Sequence, residues 1–311
     1  MTFAEVESIR AAYQAKLARI WRRCGIIILI VTIIALIIGI SSSNSIAAIF
    51  GILFFVAMFS FIISGLIIAI ATTKDATAYR QAYKAYFVAQ NLSHTFTNLR
   101  YNHAAGLDPK LLRATGMINT GDRFHSNDLT VARYKDVAFI QADAHIEVEY
   151  TDSDGNIHYS TIFKGRFMIF EFPKKFSFKL EVIGKYFHAA KIPSKNPTTG
   201  RKMTRIKMES PEFNKLFHSY AEDGFEAFYL LDPAFIEKLQ AIANQYRSRV
   251  LFGFIDNTLL IGLSNGKDAF EPPSPRNPLN EQTELAKVQA DIKLITDFVD
   301  YLKLDRKLFK N

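Results

Sequence analysis

The apolar positions of this chain fall into three rhythms, and each predicts a different kind of structure. The first is unbroken. From Cys24 to Ser43 there is no charged residue, and the run includes Gly25-Ile26-Ile27-Ile28-Leu29-Ile30-Val31. A second uncharged run, Ile46 to Thr73, carries Phe50, Leu53, Phe54, Phe55, Phe59, Phe61 and Leu66. A membrane-spanning helix needs about 20 predominantly apolar residues, so both runs are long enough and the second can tilt. Ser41-Ser42-Ser43-Asn44-Ser45 between them is a polar turn with room only for an antiparallel pair. Buried core helices are a poor alternative, because two adjacent runs of this length are rare in soluble cores. A cleaved leader is not expected, since a charged helical segment precedes the first run and a second span follows at once.

The second rhythm is helical. Phe3, Val6, Ile9, Tyr13, Leu17 and Ile20 recur every three or four residues before the spans, and Tyr79, Ala82, Tyr83, Tyr86 and Phe87 do so after them. Asp108-Pro109, Ser210-Pro211 and Asp232-Pro233 each place a capping residue before a first-turn proline, and the first of these helices should stop near Gly116. Past Pro272-Pro273-Ser274-Pro275, residues Leu285, Val288, Ile292, Ile295, Val299 and Leu302 predict a last helix.

The third rhythm alternates. Ile140, Ala142, Ala144, Ile146, Val148 and Tyr150 share one face of a strand, with Gln141, Asp143, His145, Glu147 and Glu149 on the other. Asp152-Ser153-Asp154-Gly155-Asn156 turns the chain, and Ile157 to Phe172 returns. Phe167-Met168-Ile169-Phe170 is apolar on both faces, which predicts a central strand. Further strands are expected around 176–183, 201–208, 225–230, 249–254 and 259–263, with Asp256-Asn257 as the turn between the last two.

Together these describe an α+β chain. A cytosolic amphipathic helix is expected over 1–23, a transmembrane helical hairpin over 24–73 and a juxtamembrane helical region over 74–116. A cytosolic domain with a mostly antiparallel sheet and packed helices follows over 117–311. Composition sharpens this only in places. The 311 residues are 49% hydrophobic, an ordinary share that hides its segregation into the two runs. Twenty-seven Phe and 13 Tyr exclude a disordered chain. A single cysteine excludes a disulfide framework and a Cys-based zinc site.

Charge sets the orientation. Lys16, Arg19, Arg22 and Arg23 precede the first span, Lys74, Arg80 and Lys84 follow the second, and the turn between has none, so both ends are expected in the cytoplasm. Trp21 and Tyr79 fall where aromatic rings favour the headgroup layer. Gly51 and Gly65, with Ala47, Ala48, Ala57 and Ser64, offer small surfaces for close helix approach. With no ionisable side chain in either span, a channel or proton path has no visible parts. Residues 1–75 hold six basic and three acidic side chains, so the remaining 32 basic and 27 acidic leave a surplus of five. That surplus is modest and has no aromatic–basic recognition motif beside it, so nucleic acid is not an expected partner.

The chemical motifs are sparse. Gly262-Leu263-Ser264-Asn265-Gly266 matches the string of a hydrolase nucleophile elbow, but Lys267-Asp268-Ala269-Phe270-Glu271-Pro272-Pro273 is a poor helix start and no histidine follows His218. A strand-exit loop is expected instead. Gly266-Lys267 is no phosphate loop, because Asp268 stands where Ser or Thr should bind magnesium. Aligning Gly155 with a calcium loop puts Tyr150 and Thr161 at the end ligand positions, so that stretch reads as a turn. The seven histidines show no helical pairing, and neither a metal nor another cofactor is expected.

The best polar cluster is Asp143, His145 and Glu147, with His158 brought near across the hairpin; a solvated sheet face is the plainer reading of the same residues. Lys191, Lys195, Arg201, Lys202, Arg205 and Lys207 form a basic loop, read either as a solubilising segment around Pro193 and Pro197 or as a contact to anionic lipid, at about 1 kcal/mol per cation.

The two-span start, followed in order by Tyr150-Thr151-Asp152, Thr161-Ile162-Phe163-Lys164-Gly165-Arg166-Phe167, Ser210-Pro211-Glu212-Phe213, Leu231-Asp232-Pro233, Phe254-Ile255-Asp256-Asn257 and Phe270-Glu271-Pro272, resembles an uncharacterised bacterial membrane-protein family, the domain of unknown function numbered thirty-one thirty-seven. The likeness covers nearly the whole chain, and the loop between Lys191 and Lys207 matches least well. It implies an inner-membrane protein with a cytosolic domain and brings no catalytic residues. The expected function is a membrane-anchored binding or scaffold module whose partners are the bilayer and another protein or a second copy of this chain. The alternative is a membrane-associated hydrolase using Asp143, His145 and Glu147 on the first hairpin's outer face.

Overall fold

The computed structural model describes residues 1–42, 46–172 and 175–302. The turn residues Ser43, Asn44 and Ser45, and with them the expected end of the first span at Ser43, lie outside the described residues. The chain divides into two compact units. The first joins Met1–Phe87 to Pro272–Glu284; the second joins Val88–Glu271 to the chain from Leu285 onward.

In the first unit, α1 (Phe3–Ser42) and α2 (Ile46–Tyr83) are, among the described residues, the two helices long and apolar enough to cross a membrane. The amphipathic helix read over 1–23 and the first span form one continuous 40-residue rod. At 1.5 Å per residue it is about 60 Å long, roughly twice a bilayer's hydrocarbon core. The helices are antiparallel. Lys16 Nζ lies 2.6 Å from Asp75, the rings of Tyr13 and Tyr79 and of Trp21 and Phe61 meet at a tilt, and Gly39 faces Ile49. Among the described side chains of the apolar run, the buried positions of α2 are Ser64, Ile68 and Thr72, one per helical turn, with Cys24 buried on α1. Gly51 and Gly65, by contrast, have nothing within 4 Å of a would-be Cβ, so they do not form the contact between these two helices.

The base of the pair is closed by a segment from far along the chain. Tyr79 Oη donates to the Pro273 carbonyl at 3.2 Å, Leu279 N–H donates to Glu7 Oε2 at 3.1 Å, and Tyr83 Oη donates to Glu284 Oε2 at 2.9 Å. Tyr86 hydrogen-bonds Glu281, and Arg10 donates to the Pro275 carbonyl while holding Glu7 at 2.7 Å. Arg10 keeps the Glu7 carboxyl below its ordinary range, chiefly through that hydrogen bond. Helix α2 ends in a π-helical turn, Lys84–Ala89, that buries Tyr83, Lys84, Phe87 and Val88. Such wide turns are rare outside sites of local constraint.

The second unit is built on one antiparallel sheet of nine strands. In chain order they are β1 (Thr97–Asn102), β2 (Arg123–Tyr134), β3 (Val137–Thr151), β4 (Ile157–Glu171), β5 (Leu180–Gly184), β6 (Thr204–Ile206), β7 (Phe217–Ala221), β8 (Val250–Ile255) and β9 (Thr258–Leu263). Their spatial order is β1-β2-β3-β4-β9-β8-β5-β7-β6. The helices are α3 (Gln90–Thr95), α4 (Pro109–Ala114), α5 (Pro211–Leu216), α6 (Gly224–Leu230), α7 (Pro233–Gln245) and α8 (Glu281–Leu302). Caps and prolines start α4, α5 and α7 as expected: Asp108, Ser210 and Asp232 each accept a backbone N–H from the first turn. Gly116 ends the α4 region with a positive φ of 69°.

Over its central strands both faces of the sheet are buried. On one, Ala142, Ala144, Ile146, Phe163, Phe167, Leu251 and Leu260 pack with Leu112 of α4, Met117, Ile118 and Phe187. Gly253 is required there, because a Cβ would collide with the Met117 sulfur. On the other face Phe139 meets Phe96, Phe254 meets Phe235 of α7, and Phe217 meets Phe213 of α5. Helix α8 covers the same side with Val288, Ile292, Ile295 and Val299.

Two expectations need correction. Residues 225–230 form helix α6, because Asp223 caps the amides of Phe225 and Glu226 and the buried Ala227 and Leu230 are three apart, a helical spacing. The strands expected over 176–183 and 201–208 shrink to Leu180–Gly184 and Thr204–Ile206.

The core also holds a buried ion pair. Lys179 Nζ stands 2.7 Å from Glu181 Oε1, both side chains have no exposure, and the ammonium donates to the Thr115 carbonyl at 2.7 Å. Apart from this contact with Lys179, neither Glu181 oxygen has a hydrogen-bond partner among the described residues. Burial therefore dominates and pushes the Glu181 carboxyl up to about 7.

Three single substitutions and one double variant test this packing by unfolding in detergent. Arg10→Met, which removes the cation from Glu7 and the donor from Pro275, is expected to lower stability by about 2–3 kcal/mol. Lys179→Met alone or Glu181→Leu alone should each cost about 3–5 kcal/mol, whereas the double variant should return close to the parent.

Candidate functional site

The register of three strands assembles the polar cluster. Rows across β2, β3 and β4 read His125–His145–Lys164 and Asn127–Asp143–Arg166, with Arg123, Glu147 and Thr161 in the row beyond. Side chains directly opposite in an antiparallel pair share a face, so His125 and His145 stand side by side. His125 and Lys164 line, with Asn127, Asp143, His145, Lys267 and Asp268, a cleft of about 180 Å³.

Within this group Asp143 behaves differently from its neighbours. It is 2% exposed, and both oxygens are engaged: Arg166 Nε donates to Oδ1 at 3.2 Å, and the Ala269 amide donates to Oδ2 at 2.7 Å. Arg166, also 2% exposed, donates through Nη1 to the Asp291 carbonyl of α8 at 2.9 Å, and its guanidinium carbon lies 4.9 Å from the Phe270 ring centre. Burial pushes the Asp143 carboxyl up to about 6, with Asp268 and Asp128 adding to the rise and Arg166 opposing it. The solvated face expected here is thus covered at Gln141 and Asp143, by α8 and by the loop after β9.

His145 is half-buried and shares a hydrogen bond of 2.9 Å with Thr161 Oγ1; Glu147 lies 4.0 Å from its Nε2. His158 is placed elsewhere. It pairs with Tyr150, stacks on that ring and binds Asp152 Oδ2 at 2.7 Å, on the opposite face of β3 from His145. The nearness expected across the hairpin fails because His145 pairs with Lys164 whereas His158 pairs with Tyr150, with a bulge beside Ile146 and five residues, 159–163, between the two positions on β4. Asp152 also accepts the amides of Asp154 and Asn156, at 2.9 and 2.8 Å, which makes this stretch the turn its sequence suggested.

The glycine–serine string also resolves. Gly262 and Leu263 end β9, Ser264 accepts from Lys164 N–H at 3.4 Å, and Gly266 N–H donates to the Lys164 carbonyl at 2.9 Å. No helix follows, so Ser264 sits in a strand-exit loop rather than an elbow. Gly165, at φ 154°, lets this loop approach: a Cβ would strike the Leu263 carbonyl.

Sequence reasoning missed three parts of this region. His125 was invisible as a partner of His145 because β2 lacks a clean alternation. The carboxylates of Asp128, Asp268 and Glu271 come within 4.8 Å of one another, the described group whose spacing would best suit a hard cation. Asn127 bridges two of them, donating to Asp128 at 2.8 Å and Asp268 at 3.2 Å. A separate cleft of about 580 Å³ lies between α7 and α8, lined by Ile242, Tyr246, Leu294 and Phe298 among others.

The basic residues occupy the other end of the sheet. Lys191, Lys195, Arg201, Lys202, Arg205 and Lys207 are all exposed, and Arg205 Nη2 lies 2.8 Å from His218 Nδ1. Lys195 and Lys202 face each other in an isolated bridge leading to β6, the outermost strand.

Two measurements test the Asp143 arrangement. Arg166→Met leaves a buried carboxylate without its cation and should cost about 3–5 kcal/mol in chemical denaturation. Because folding raises the Asp143 pKa from its ordinary 3.8 to about 6, its contribution is complete at pH below the lower value and is lost as pH rises through the upper one. Asp143→Asn should therefore flatten the stability profile between those two pH values.

Comparison with curated proteins returned no match. Among solved structures, the crystal structure of the mycobacterial trehalose monomycolate transport factor A, TtfA, is similar at a TM-score of 0.38 and 9% identity, over 71% of this chain and 93% of that one. A likeness so distant carries no argument about this chain. Residues 161–304, which take in part of the sheet and the helices after it, match the family described as "Protein of unknown function (DUF3137)", the family that the sequence landmarks resemble.

Proposed function

We propose that this is a multi-pass inner-membrane protein with both ends in the cytoplasm, in which the helix pair anchors a folded body that works by binding. Its partner in this reading is another protein or a second copy of the chain. The observation that carries the proposal is the arrangement of side chains on α1 and α2. Ile26, Phe50, Phe54, Phe61 and Ile70 are each more than half exposed, and an apolar band of that extent greatly exceeds the few hundred Å² that soluble monomers expose. Every Lys and Arg of the pair lies at residue 23 or before, or at residue 74 or after. Lys16 and Asp75 meet at that shared end. Cations gathered at one end of a hairpin favour its retention on the cytoplasmic side.

The polar cluster supports binding over hydrolysis. A general base or nucleophile must come within hydrogen-bond reach of its substrate, and Asp143 is 2% exposed and held by Arg166 and the Ala269 amide. His125, His145 and Lys164 remain around a cleft sized for a small group rather than an extended substrate.

Single cysteines in a Cys24→Ser background test the topology. Ser43→Cys should react with an impermeant maleimide on intact cells, and Ser93→Cys should react only after permeabilisation. Reaction of Ser93→Cys on intact cells, or release of the protein by carbonate, overturns the reading. Crosslinking in native membranes should recover either a self-contact or one reproducible partner.

A further inference from the structure

Helix α6 wears its aromatic residues outward. Ala227 and Leu230 face the domain, whereas Phe225, Phe228 and Tyr229, spaced i, i+3 and i+4, are 80%, 46% and 69% exposed. Three large rings on one exposed helical stripe are the reverse of what water favours. The stripe adjoins the basic edge. Gly224 opens α6 within 3.8 Å of Ile206 on β6, reckoned from a Cβ position, and Thr204 of that strand hydrogen-bonds the Ala221 carbonyl at 3.3 Å. The loop leading into β6 ties back to the same corner through Thr199 and Glu222. From 191 to 208 there are six Lys and Arg and no acidic residue, and Ile192 in that stretch is 82% exposed.

Four acidic residues lie nearby. Asp223 is committed as the α6 cap and Glu222 accepts from Lys179 N–H and from Thr199, with Glu209 and Glu226 completing the set. The cations still outnumber them.

We propose that α6 and the β6 edge form a membrane-docking surface whose occupant is the headgroup layer of an anionic phospholipid leaflet. This rests on the anchored reading above and deepens it by naming what the basic edge touches. Tyr229 favours the interfacial layer, where its ring is buried and its hydroxyl stays wet, and the two Phe rings add apolar area beside it. Lys and Arg around them match the negative surface potential of an anionic leaflet, each multiplying the bound population roughly fivefold. A soluble acidic protein would satisfy the cations but gives no reason for a stripe of three bare rings beside them. The chain's own anchor adds effective concentration, so a docking surface too weak to hold a free protein is enough here.

The test uses the full chain in vesicles with bromines on the upper acyl carbons. Trp21 is the single tryptophan, and its quenching in the parent protein reports the anchor. A Trp21→Phe, Tyr229→Trp variant reports the docking helix. The indole at position 229 should be quenched in vesicles containing one-third phosphatidylglycerol and released in pure phosphatidylcholine or at high salt. Adding Lys195→Gln, Arg201→Gln, Lys202→Gln and Arg205→Gln should lower the docked-to-undocked ratio on the order of several hundredfold, with unchanged circular dichroism as the folding control. An unquenched indole at 229 while Trp21 is quenched overturns the docking surface and leaves the anchor standing. A blue shift at 229 that tracks protein-to-lipid ratio without quenching assigns the stripe to a second copy and likewise overturns it. An unquenched Trp21 overturns the anchor and this inference together.

Discussion

Where the central strands of the sheet are dry on both faces, buried polar side chains have nowhere to go except to each other, and the two buried ion pairs of the second unit follow from that. Arg166 and Asp143 sit at adjacent strand positions under α8, where neither could be ionised alone without a large desolvation cost. The arrangement therefore recruits what lies nearby: the Ala269 amide, the Asp291 carbonyl and the face of Phe270. Lys179 and Glu181 solve the same problem beneath the opposite face with fewer partners, and among the described residues Glu181 has none besides Lys179. The two pairs differ in how completely they are satisfied, and with it in what they can contribute.

The same two-sided burial explains what the sequence did and did not disclose. Helices announced by a capping residue and proline, such as α4, α5 and α7, were legible because a cap acts within four residues of itself. The β3–β4 and β8–β9 hairpins were legible because Asp152 and Asp256-Asn257 dictate their turns locally. Strand β2 was not, because its interrupted register around Asp128 breaks the alternation. Gln141 and Asp143 look like a wet face in the sequence because nothing in β3 reveals that residues some 125 to 150 positions later will cover them.

Helix α6 shows the limit from the other side. Phe225, Phe228 and Tyr229 read as strand residues when aromatic content is taken as a sign of burial. Asp223 overrides that by fixing the first turn, and the rings then point away from the core. Likewise the cluster around His145 was half legible: Asp143 and Glu147 share its strand, but His125 arrives only through pairing, and His158 is carried to the far face by the strand's own geometry.

The clasp at the base of α1 and α2 has a bearing on the order of synthesis. Residues 272–284, which hold Arg10, Glu7 and Tyr79 together, are translated after the entire nine-stranded sheet. A ribosome therefore delivers the greasy rods first and their fastening nearly last. Throughout that interval the nascent helices lack this bracing at their roots.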